Sequence, residues 1–166
     1  MAEITTPRDL FLHELGDIMY VERALSTEVL PKLISEVRDE ELKEALDQHL
    51  AQTTRHLANV EKVFEELGET PHAEQCLGFE GLKSEHDKLI GEASSELVDS
   101  IDLGAAARTE CYEIAAYEGL RRMAKAMGEE RAVELLDRNL EEEKEALKLV
   151  EKIATRVSKE SAQALA

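Results

Sequence analysis

The sequence predicts an all-α fold, on its composition, its apolar periodicity and its helix-capping signals. Leu, Ala, Glu and Lys dominate, aromatics make up 4% and prolines number three in 166 residues, a composition suited to helices rather than sheets. Apolar residues recur at three- and four-residue steps over long stretches, so each stretch can bury one stripe against a neighbour. A chain of this length is about one domain, and it can bury a core without disulfides or a structural metal.

Thr6-Pro7-Arg8-Asp9 supplies a capping hydroxyl, a proline at the first helical position and an acid three residues on, which opens a helix over about residues 7–37. Pro31 lies inside it and cannot bond the carbonyl of Thr27, so a bend or a break is expected there. Asp39 caps a second helix over about 39–67, with Glu40 and Glu41 in its first turn and Gly68 at its end. The short link makes these two helices antiparallel neighbours.

A third long helix is predicted over about 102–127, stopped by Gly128, and a fourth follows at once over about 129–157. The tail from Ser158 is expected to fray. Between the hairpins, residues 69–101 form a long connection through Pro71 and Cys76, a short amphipathic helix over about 80–90, and a Ser-rich passage. Two antiparallel helical hairpins, joined by a crossover long enough to span the bundle, make a four-helix bundle with the connectivity of ferritin-like folds.

A formal net charge of −17, with 37 acidic against 20 basic residues, argues against nucleic acid as a partner, because phosphate contacts need clustered Lys and Arg. The opening MAEITTPRD has no apolar leader region and no apolar run reaches membrane-spanning length, so a cytoplasmic protein is expected. Cys76 and Cys111 lack disulfide-framework or metal-site spacing and read as reduced thiols, Cys111 as a small packing residue on a helix.

Phasing each helix at 100° per residue locates its core stripe and the polar residues within it. Glu22 interrupts Phe11, Leu15, Ile18, Leu25 and Val29 on the first helix, whereas Asp17 is expected to project away from the core. On the second, His49, Thr53 and His56 lie in the stripe and Gln52 at its edge. Glu110 lies in the third, with Glu113 towards one side, and Glu143 interrupts the fourth. The four helix midpoints fall near residues 22, 53, 114 and 143, and His49, His56 and Glu110 lie only about 5 to 7 Å from that level at 1.5 Å rise per residue.

Taken alone, each such Glu reads as an acid whose stem is buried and whose head reaches solvent, and each His as a hydrogen-bonded core residue. The coincidence of four helices at one height carries a different reading. Buried carboxylates must be protonated, paired or bound to a cation, and no Lys or Arg shares these stripes at that level. A metal held by Glu22, His49, His56, Glu110, Glu113 and Glu143 is the simplest compensation. Mixed oxygen and imidazole donors suit one or two iron or manganese ions, and zinc accepts the same donors. Tyr117, beyond Glu113 on the same helix, reads first as core packing and second as a neighbour of the site.

The stretches LFLHELGDIMYVERAL, HLAQTTRHLANVEKVFEELGE, CLGFEGL, ECYEIAAY and NLEEEK resemble the YciF-like and YciE-like bacterial stress-response proteins of the ferritin-like superfamily. The resemblance extends over nearly the whole chain and implies a homodimer. Glu22 to position 52 and Glu113 to Glu143 both span 30 residues, so the hairpins resemble pseudo-repeats. The superfamily's ligand pattern maps onto Glu22, Glu113 and Glu143, but position 52 is Gln. Arg55 and Ala146 stand where a His follows Glu, Cys111 where a His commonly follows the third-helix Glu, and Leu147 where an acid is common.

Together these features point to a stress-response protein binding iron or manganese and acting as a di-metal oxidoreductase that oxidises Fe(II) or reduces peroxide, with dioxygen or peroxide as its small oxidant. The alternative is a non-enzymatic helical dimer that scaffolds or protects partners and keeps only a degenerate metal site.

Overall fold

The computed structural model describes residues 3–164, and among them every regular element is helical. Helix α1 (Pro7–Ala24) opens with a complete capping box, in which the Thr6 side chain accepts from the Asp9 backbone N–H and the Asp9 carboxylate accepts in return. A π-helical turn (Leu25–Val29) joins it to α2 (Leu30–Glu36). Asp39 caps α3 (Glu40–Glu66) by accepting from the Leu42 N–H at 2.9 Å. Gly68 and Gly128 follow α3 and α5 (Val98–Met127) with φ of 74° and 79°, the left-handed conformation that closes a helix at little cost only for glycine.

The expected bend at Pro31 takes the form of the π turn. Leu30 N–H bonds Leu25 O, one residue further back than in an α-helix. This widening gives the proline ring room in the turn that follows, while the Ser26 and Thr27 hydroxyls bond the carbonyls of Glu22 and Arg23 at 2.8 and 2.7 Å. The crossover helix α4 (Leu77–Glu92) is longer than periodicity suggests. The Ser-rich passage shrinks to a 3₁₀ turn (Ser95–Leu97), and α5 begins at Val98 rather than near Asp102. The last helix, α6 (Glu130–Ala164), continues past Ser158, where fraying is expected; Arg156 anchors its end to Asp39 and Glu41 at 2.7 and 3.1 Å.

Ion pairs and hydrogen bonds set the helix directions. Asp39 meets Arg156, Arg55 meets Glu142 and Asn59 meets Asn139, so α3 and α6 are antiparallel. Arg121–Asp137 and Lys144–Glu118 do the same for α5 and α6. The Asp99 carboxylate accepts from the Arg38 and Asp39 N–H groups at 3.1 Å, bringing the start of α5 back to the start of α3. The result is a ferritin-like four-helix bundle with a long crossover. Helix α4 runs beside α1 and α2, with Tyr20 donating to Glu80 at 2.8 Å, and antiparallel to α5 through His86–Asp102 at 2.8 Å. No described helix is long and apolar enough to cross a membrane.

Leu15, Ile18, Val60, Phe64, Leu120, Leu136 and Ile153 are buried in a core that extends through the bundle. Asp17, expected to project outwards, is half-buried where α4 covers that side of the bundle; it accepts from the Tyr112 hydroxyl at 2.9 Å, and the Cys76 thiol lies 2.9 Å from that Tyr112 hydroxyl. Cys111 is exposed rather than packed. Periodicity cannot foresee either case, because both depend on where the crossover lies.

Candidate metal centre

Glu22, His49, His56, Glu110, Glu113 and Glu143 are all buried, with Glu22, Glu113 and Glu143 at 0% exposure. They fall into two groups that share one member. His49, Glu110, Glu113 and Glu143 each offer one ligand atom within 4.8 Å of the others, and so do Glu22, His56 and Glu143. Thr53 and Tyr117 are buried beside them, while Gln52 is half-buried.

Each side chain reaches the centre because its helix presents it from the core stripe at mid-height. His49 Nε2 lies 3.2 Å from Glu110 Oε1. His56 Nδ1 lies 2.7 Å from Glu143 Oε1 and 3.5 Å from Glu22 Oε1, neither contact aligned as a hydrogen bond. Its other nitrogen, Nε2, is 3.0 Å from Glu142 Oε2, which Arg55 also contacts at 3.0 Å. A carboxylate on the outer nitrogen of an imidazole fixes the ring's tautomer and turns the inner nitrogen into a ligand.

Hydrogen bonds do not satisfy this volume. Glu22 Oε2, Glu110 Oε2, both oxygens of Glu113 and of Glu143, and the Nδ1 atoms of His49 and His56 are buried without a hydrogen-bond partner. Such groups are costly to leave unpaired. Among the described residues no Lys or Arg makes an ion pair with any of the six.

The protonation pattern reflects this crowding. Burial, with Glu143 next, raises the carboxyl of Glu110 well above its usual range, and burial followed by Glu143, Glu22 and Glu110 does the same to Glu113. Burial also raises Glu22, against His56, to about 7. Burial alone would discharge His56, but Glu143 and Glu22 outweigh it and raise its pKa to about 10. His49, where burial prevails, is held below the usual imidazole value. Glu143 is held low despite burial, because His56, Glu110 and His49 favour its charge. The metal-free centre therefore holds protons that a cation would displace. The orphaned oxygens and imidazole nitrogens fit iron or manganese.

Two contributors lie outside the residues singled out by periodicity. Asn139, 1% exposed, donates to the Tyr117 hydroxyl at 3.0 Å and to His56 O at 3.2 Å, and accepts from Asn59 at 2.8 Å. It stands four residues before Glu143, so the same spacing could have revealed it. Glu142 is drawn in by His56 and Arg55 across the helix pair, a tertiary contact with no local signal.

A bundle of two helical hairpins with acids and imidazoles converging from all four long helices defines a ferritin-like carboxylate-bundle protein. The family described as "Domain of unknown function (DUF892)" matches residues 6–163, and the chain belongs to that family. It is 33% identical over 159 residues to Protein YciF of Escherichia coli (strain K12), covering 94% of this chain and 95% of that protein. The crystal structure of the E. coli stress protein YciF superposes with a TM-score of 0.86 at 30% identity, over 94% of this chain and 99% of that one. YcfI from Rhodopseudomonas palustris has the same TM-score at 34% identity, over 90% and 96% of the two chains.

Proposed function

We propose that the chain is a stress-response metalloprotein that holds iron or manganese at adjoining positions in the bundle and uses them to oxidise Fe(II) or reduce peroxide. The observation that carries this reading is the double membership of Glu143: one buried carboxylate belongs to both ligand groups and can face two cations at once. The name of the E. coli relative, a stress protein, supports the physiological part.

His49, Glu110, Glu113 and Glu143 would hold one ion, and Glu22, His56 and Glu143 the other. Iron or manganese, when bound, supplies a redox-active Lewis-acidic centre suited to dioxygen or peroxide. Glu142 holds the outer nitrogen of His56 and so orients the inner one. The Tyr117 phenol stays protonated, because burial and the Glu22 charge disfavour its anion. It donates to Glu22, keeping that carboxylate aimed at His56, and it is close enough to the centre to share an oxidising equivalent.

Elemental analysis of protein expressed in iron- and in manganese-supplemented medium tests the proposal. One or two ions per chain and a raised Tm are expected. Metal well below one per chain in both media, with no stabilisation on adding Fe(II), would overturn it.

Gln52, Ala146 and Leu147 favour a second reading, a non-enzymatic helical dimer that protects partners and retains a remnant of the centre. Bundles of this kind place Glu-x-x-His on two helices, and here Ala146 follows Glu143 at that spacing while Arg55 follows Gln52.

A further inference from the structure

A cavity of about 230 Å³ adjoins the metal centre and reaches up the bundle between the helices, with His49, Gln52 and Glu110 at one end. Leu25, Leu33, Leu46 and Val150 are among its apolar walls. The space exists because Ala45, Ala106 and Ala146 stand on three different helices where larger side chains would close it. Ala45 and Ala106 are four residues before His49 and Glu110, and Ala146 is three after Glu143, so the space lies within one turn of three ligand positions. Two of the positions where the ligand set falls short, 52 and 146, border it. The donor group of His49, Glu110, Glu113 and Glu143 therefore borders an apolar chamber through His49 and Glu110.

Scaling from the ~150 Å³ cavity that takes benzene gives room for about nine carbon atoms. The walls from Gln52 to Leu42 on α3 extend for about 15 Å at the helical rise, longer than broad. At the surface, Glu28 is paired with Lys83 at 3.4 Å and Lys32 with Asp87 at 3.7 Å, whereas at the inner end His49 Nδ1 and Glu110 Oε2 are buried without partners.

We infer that this cavity binds an unbranched amphiphile, an aliphatic chain of about nine carbons with one oxygen-bearing head, the chain along the apolar walls and the head against His49 and Glu110. The placement of the head rests on the metal reading above; the seat for the chain does not.

Two probes separate these parts. Nonan-1-ol, titrated calorimetrically into metal-free protein, is expected to bind saturably at one per chain. Ala45→Leu and Ala106→Leu, each checked for native helicity by circular dichroism, fill the cavity and should weaken binding by roughly tenfold or more, with manganese content unchanged. Absence of saturable binding, or equal binding by every variant that folds, overturns the proposal. In manganese-loaded protein, the carboxyl carbon of [1-¹³C]nonanoate should broaden far more than a ¹³C-labelled terminal methyl. The reverse order overturns the orientation. Protein that binds nonan-1-ol but takes up neither iron nor manganese sinks the metal reading and leaves the cavity assignment supported.

Discussion

The Tyr117 hydroxyl donates to Glu22 and accepts from Asn139 at 3.0 Å, so one phenol on α5 ties α1 to α6 through the centre of the bundle. Because Asn139 is also bonded to Asn59 and to the backbone of His56, the same chain of contacts reaches α3. All four long helices are linked there by polar contacts buried in the bundle core, where each such bond matters more than it would in water.

Tyr117→Phe removes a donor from Glu22 and an acceptor from Asn139 while keeping the ring in place. The hypothesis that this network stabilises the centre expects a loss of about 1–3 kcal/mol in metal-free protein. Thermal or urea unfolding measures it, and an unchanged midpoint would show the network to be neutral.

Metal stoichiometry distinguishes shared from unshared ligands. Because Glu143 belongs to both groups and Glu22 to only one, Glu143→Ala is expected to lose both ions and Glu22→Ala only one. Elemental analysis after identical loading reads the difference. Equal losses from both variants would refute a bridging role for Glu143.

The pH dependence has a definite sign. Glu22 is raised from 4.5 to about 7 and His56 from 6.5 to about 10. Groups with raised pKa favour the fold below their unfolded values, and that contribution fades as pH rises through the folded ones. Glu143 opposes this at acid pH, since its lowered pKa favours the fold only above its unfolded value. His49 opposes it up to about pH 6.5, since a lowered pKa costs stability as an imidazole is protonated. Glu110 and Glu113, both raised, reinforce the fall. The metal-free protein is therefore expected to lose Tm between about pH 5 and pH 8. Metal uptake over the same range should release protons and tighten as pH rises, which calorimetry in buffers of different ionisation enthalpy detects. A metal-free Tm that climbs across this window would contradict the assignment.

The two functional readings differ over the variant Glu22→Leu plus Glu143→Leu. A metalloprotein gains about 2.7 kcal/mol from a hundredfold excess of ion over its Kd, and this gain should vanish in the variant. A scaffold with a remnant site should instead become more stable in the variant whether or not metal is added, because unpaired buried acids have been removed. Melting curves with and without Mn(II) decide between them.

Much of this centre is legible in the sequence, because helical period and caps together determine both the azimuth and the height of a side chain. Glu22, His49, His56, Glu110, Glu113 and Glu143 are all local exceptions to an apolar stripe. The π turn is less accessible, since Pro31 announces a disturbance without saying that an extra residue will absorb it. The Glu142 contact and the hydrogen bond from Tyr112 to Asp17 are invisible because each joins residues from different helices. The cavity is hidden for another reason: alanines at 45, 106 and 146 look like ordinary helix formers until the helices that bear them are brought together.

Glu143 resides on α6, which follows α1, α3 and α5 in the chain and so leaves the ribosome after them. A growing chain that already displays Glu22, His49, His56, Glu110 and Glu113 still lacks the carboxylate common to both ligand groups. On the proposed metal reading, cation capture is thus deferred until α6 has been made and has docked, and a nascent chain that stalls before it would be a poor scavenger of metal.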